Sequence, residues 1–103
     1  MGNLLANCGV AIQVLPQGVS GREEVKGVVD KVIAYLYSTG LSVFVGPFET
    51  TVEGDFDHLM EVVKKAQIIA VEAGCTGLLT YLKISYDPAG VWTTQEKIGK
   101  YHG

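Results

Sequence analysis

Between Cys8 and Leu15 apolar and mixed positions alternate, with Val10, Ile12 and Val14 on one side and Ala11, Gln13 and Leu15 on the other. That period of two is a strand's. Pro16 has no N–H to give a ladder and is expected to end the strand, with Gln17-Gly18 continuing into a loop. Ser20-Gly-Arg-Glu23 then has the form of a capping box, and the period changes. Val25, Val28, Val29, Val32, Ile33 and Leu36 form one helical stripe, and Gly40 fits the left-handed cap after it. Leu41 to Val45 alternates again, Gly46-Pro47 supplies a turn, and Glu49 to Glu53 returns as a short third strand. Asp55 is placed to cap a second helix, with Asp57 near its positive end. The buried stripe of that helix is Phe56, Leu59, Met60, Val63, Ala66, Ile69, Ala70 and Ala73, widened by Val62, Ile68 and Val71, and Gly74 closes it. Leu78 to Ile84 is the last strand, and beyond Asp87-Pro88-Ala89-Gly90 the tail reads as a helical turn or an extended segment.

Strand, helix, strand, strand, helix, strand is the order of the ferredoxin-like split βαβ fold, an α+β sandwich. The two halves share one plan, with Gly40 and Gly74 as corresponding caps. Right-handed crossovers put both helices on the same face of a four-stranded antiparallel sheet and leave the other face open. We expect one domain over residues 8–98, with 1–7 a frayed or partner-ordered lead-in and 99–103 a short extension. If Val10, Ile12, Val14, Val43, Val45, Val52, Leu82 and Ile84 face the helices, then Ala11, Gln13, Leu15, Phe44, Glu49, Thr51, Tyr81 and Lys83 face outward. This mixed surface suits a subunit interface. Its sharper reading is a site for a flat heteroaromatic ligand, stacked on rings and held by Gln, Thr and Glu.

Composition narrows the partners. Hydrophobic content of 48% with 18% charge belongs to a folded chain, and in 103 residues it points to apolar surface buried between subunits. A net charge of −3 with eight scattered basic residues argues against a phosphate-backbone partner, so no nucleic acid is expected. Cys8 and Cys75 read as reduced, buried thiols, and His58 and His102 offer no metal-ligand spacing, so neither metal nor cofactor is expected. No apolar run has transmembrane length and no signal segment opens the chain, so we expect a cytoplasmic protein without membrane attachment.

Catalytic motifs are missing as well: there is no nucleophile elbow, phosphate loop or HExxH. Glu49 and Glu53 lie roughly 13 Å apart along a strand, too far to work on one bond, and read as solvated strand ends. Tyr81 has no neighbour in sequence to tune it.

Ile12-Gln-Val-Leu-Pro-Gln-Gly18, the run Gly46-Pro-Phe-Glu-Thr-Thr-Val-Glu-Gly-Asp55, the helix Phe56-Asp-His-Leu-Met-Glu-Val-Val63, and Lys83-Ile84 with Thr94-Gln-Glu-Lys-Ile98 together resemble the small thiamine-binding protein family. The resemblance spans Cys8 to Ile98 and is most specific in the Gly-Pro…Thr…Glu-Gly-Asp run. It implies a ferredoxin-like fold, homodimers or homotetramers, and binding of thiamine or its hydroxymethylpyrimidine moiety without chemistry, as a carrier, buffer or sensor. Thr50 matches the motif's threonine. Ser85-Tyr86-Asp87 replaces the family's usual acidic residues after Lys-Ile, and Glu49 stands where a small residue is common. The residues expected at the ligand are Gln13, Phe44, Glu49, Thr50, Thr51, Tyr81 and Lys83. Two alternatives have related topology: an amino-acid-sensing regulatory domain of the ACT type, and a small oligomeric enzyme of the dimeric α+β barrel type.

Overall fold

The computed structural model describes residues 6–91. The elements follow the expected order: β1 (Cys8–Gln17), α1 (Gly21–Ser38), β2 (Ser42–Val45), β3 (Thr50–Gly54), α2 (Phe56–Glu72) and β4 (Gly77–Tyr86). The strands form one antiparallel sheet in the order β2-β3-β1-β4, with α1 and α2 on one face: a ferredoxin-like α+β sandwich.

The core lies between helices and sheet. From β1 and β3 it takes Cys8, Val10, Ile12 and Val52; from the helices, Val28, Val32, Leu36, Leu59, Val62, Val63, Ala66 and Ala70. Burial of each larger aliphatic side chain contributes about 1.5–3 kcal/mol. The α2 stripe is confirmed over Leu59, Val63, Ala66 and Ala70, and Val62 is buried with it. Ile68 and Val71 are exposed, so among the described residues nothing covers a second side of this helix. On α1 the middle and end of the stripe, Val28, Val32 and Leu36, are buried, while Val25 is exposed.

Four local expectations are corrected. Pro16 does not end β1: the strand continues to Gln17, with Pro16 opposite Leu78. β3 accompanies β1 only from Cys8 to Ile12, so Pro16 lies in a half of β1 that has a neighbour on one side only, where a missing N–H is tolerated. At the start of α1 the carboxylate that reaches back is Glu24, not Glu23; the Ser20 amide donates to its Oε1 at 2.6 Å. Gly21 opens the helix at a φ of 83°, a conformation that favours glycine. Residues 6 and 7 are not frayed. The Asn7 carbonyl accepts from Asp87, the Ala6 carbonyl from Val91, and the Asn7 side chain accepts from the Phe56 amide at 2.9 Å. Finally, Glu53 is buried, with 8% of its surface exposed, rather than solvated.

The remaining caps follow the sequence. Asp55 accepts from the His58 amide at 3.2 Å, a cap worth about 1 kcal/mol. Gly40 and Gly74 follow the two helices with positive φ, as expected. The expectations for the tail beyond Val91, including His102, lie outside the described residues.

Candidate functional site

The unequal reach of the strands creates the site. β1 pairs with β4 along its whole length, Cys8 with Tyr86 through Gln17 with Gly77, but with β3 only as far as Ile12 opposite Thr50. Beyond Ile12 one side of β1 lacks a sheet neighbour. There α1 spans from above and the β2–β3 hairpin bends in from the side. The space between them is an open-mouthed cavity of about 260 Å³, lined from β1 by Ile12 to Leu15, from α1 by Val25, Val29, Val32, Ile33 and Leu36, and from the hairpin by Phe48, Glu49 and Thr50.

The hairpin that closes the cavity is set by Gly46. Its amide donates to the Glu49 carbonyl at 2.9 Å, leaving Pro47 and Phe48 at the tip. A Cβ on residue 46 would lie 2.9 Å from that carbonyl oxygen, so only glycine allows the strands to come this close. Phe48 is consequently held out in solvent, with 80% of its surface exposed.

Period-two geometry separates the two threonines. Thr50 pairs with Ile12 on the helix side of the sheet, is 8% exposed, and lines the cavity. Thr51 pairs with Ala11 and Phe44 on the open side. Phe44, Thr51, Ala11 and Lys83 form one row across the four strands, and Gln13 with Tyr81 begins the next. The open face therefore brings Gln13, Phe44, Thr51, Tyr81 and Lys83 together as the alternation predicts, with Phe44 and Tyr81 exposed. Glu49 joins them through an ion pair to Lys83, with Oε2 3.4 Å from Nζ. Thr50 stands apart, on the other side of the sheet.

Gln13 and Glu49 belong to both regions, because the gap beside β1 connects them. The register that pairs Ile12 with Thr50 brings Glu49 alongside Gln13 at the cavity's edge. Glu49 is the single charged residue in the lining. Among the described residues, side-chain hydrogen bonds engage neither Gln13 nor Thr50, so an amide and a hydroxyl are available to a guest.

Phe48 and the α1 residues Val25, Val29 and Ile33 were missed as cavity residues. A signal for them was present: the apolar alternation of the first strand is longer than that of the third, so part of the first must lack that neighbour.

The two thiols are inert parts of the core. Cys8 and Cys75 are free and buried, and Cys75 donates to the Ala70 carbonyl at 3.0 Å. Burial, and then the Asp55 carboxylate, push the Cys8 thiol above its ordinary value, which disfavours the reactive thiolate. On α1, Tyr35 is likewise raised by burial and by Glu61. Among the described residues no group of His, Cys, Asp and Glu is placed to hold a metal ion.

Comparison with known proteins places this geometry in a family. The sequence profile of the family described as thiamine-binding protein matches residues 10–102. The UPF0045 protein of Clostridium perfringens is 48% identical over 94 residues, covering 91% of this chain and 96% of its own. Among solved structures, a Bacillus cereus domain of unknown function is 38% identical with a TM-score of 0.83, covering 95% of this chain and 92% of its own. A candidate thiamine biosynthesis or salvage protein of Thermotoga maritima is 33% identical with a TM-score of 0.80, covering 91% and 97%.

Proposed function

The chain belongs to the thiamine-binding protein family, binding thiamine or its hydroxymethylpyrimidine moiety without transforming it, and we propose that the cavity under α1 is where the ligand's ring is seated. The observation that carries this reading is the lining itself: an apolar wall in which Gln13 and Thr50 are the uncharged polar residues, with Glu49 at the mouth. An aminopyrimidine needs an apolar slot for its faces and donors and acceptors along one edge, which an amide and a hydroxyl provide. The cavity of about 260 Å³ lies at the small end of ligand sites and suits one ring with its substituents better than a larger cofactor.

The open face has the complementary role. Phe44 is exposed there on β2, at one edge of the sheet, and Leu79 and Tyr81 on β4, at the other, and exposed rings on a sheet face suit contact with a second copy of the chain. The protein acts as a homodimer or homotetramer, folded as one domain over residues 8–98. It serves in the cytoplasm as a carrier, buffer or sensor of the vitamin. In keeping with that setting, among the described residues no helix is long and apolar enough to cross a membrane.

Calorimetric titration of Thr50→Val and Thr51→Val separates the two faces. Losing one hydrogen bond at Thr50 weakens binding about five- to tenfold, while Thr51→Val leaves the affinity unchanged. The reverse pattern moves the ligand to the open face and removes the cavity reading.

A further inference from the structure

The ion pair at the cavity edge has a position that neither fold nor packing requires. Glu49 is the cavity's single charge, and its partner Lys83 comes from β4, the far edge strand, crossing the open face above the gap beside β1. Lys83 is bound by little else: its side chain is 77% exposed, against 38% for that of Glu49. An exposed pair of this kind is weak, too weak to anchor the hairpin and weak enough to be exchanged.

We propose that Lys83 is a built-in stand-in for the cationic ring of the ligand, neutralising Glu49 in the free protein and giving up the carboxylate when a permanent cation arrives. This rests on the cavity reading above. A ligand whose neutral ring enters the cavity leaves its charged ring at the mouth, where Glu49 supplies the counter-charge. Beside it the exposed ring of Phe48 offers a face to a cation. The ammonium of Lys83 is carried on a flexible stem already in water, so its release disturbs no packing. A neutral pyrimidine fragment brings no charge and leaves the Glu49–Lys83 pair in place.

Two consequences follow from the exchange. The pair acts as a charge filter, because the intact cation gains the carboxylate and the neutral fragment does not. Binding of the cation also replaces one ion pair by another, so its affinity changes little with salt, although each pair alone is screened.

The test is calorimetric titration of the full chain and of Lys83→Met, Glu49→Gln and Thr50→Val with thiamine and with hydroxymethylpyrimidine, at low and high salt. Lys83→Met is expected to tighten thiamine binding about two- to fivefold at low salt by removing the competitor. It also makes that affinity fall with added salt, and leaves hydroxymethylpyrimidine within experimental scatter. Glu49→Gln is expected to weaken thiamine about tenfold while sparing hydroxymethylpyrimidine. The exchange is overturned if Lys83→Met leaves thiamine binding unchanged or weakens it, or if both ligands respond alike. In that case weaker binding of both ligands by Thr50→Val shows that the cavity itself still stands. Absence of binding by the unaltered chain removes both readings.

Discussion

Thr50 and Thr51 are chemically identical and adjacent, yet one closes a cavity beneath a helix and the other lies on an open sheet, because successive strand side chains point to opposite faces. The same alternation turns Cys8 inward, where none of its surface is exposed. Its thiol holds its proton more tightly in the folded protein than the ordinary value of 9.0. Above that pH the unfolded chain releases a proton that the folded chain keeps, so stability is intact below it and declines as pH rises through the folded value. Urea unfolding between about pH 8 and about pH 10 is expected to show this decline, and Cys8→Ala to flatten it while lowering stability at every pH. Equal slopes for the two proteins would remove Cys8 as the titrating group. Tyr35, raised in the same sense, extends the decline to higher pH in both.

Among the elements, the β2–β3 hairpin joins fold to function most directly. It places Glu49 and Phe48 at the cavity mouth, and its geometry depends on the close approach of Gly46 to the Glu49 carbonyl. Gly46→Val is therefore expected to lower stability by about 1–2 kcal/mol and also to weaken thiamine binding, since the shift displaces the cavity's edge. Thermal unfolding and titration of the same variant check both. A loss of stability with full affinity would mean that the hairpin tip is not part of the site. That a turn stands at Gly46-Pro47 was legible in the sequence, because proline and glycine restrict the backbone locally. That it folds beside a gap in the sheet was not, because the gap arises from where β3 stops along β1, a pairing between residues distant in the chain.

For the whole molecule the open face is decisive. Its exposed rings, Phe44 and Tyr81, stand on the first and last strands of the sheet, far enough apart to span a broad contact. Placing a charge in a dry contact is strongly unfavourable unless it is paired. Phe44→Glu with Tyr81→Glu is expected to convert the proposed assembly to monomers or to a smaller oligomer, as read by light scattering after size exclusion, with helix content retained. An unchanged mass would place the interface elsewhere, with the exposed Ile68 and Val71 of α2 next to be tested.

Periodicity by itself determined the element order, the antiparallel ferredoxin-like fold, the greater part of each helix's inward stripe and the residues that share the open face. Each of these follows from whether apolar positions recur every second or every third to fourth residue, a property of neighbouring residues in the chain. Tertiary structure alone decided the rest. The extension of β1 through Pro16, the choice of Glu24 over Glu23, the burial of Glu53 and the cavity depend on which strands lie side by side and how far each runs. Thr50 entered the candidate set through a resemblance, and register assigned it a side. Register results from many weak pairings made together, and no short stretch of sequence contains it.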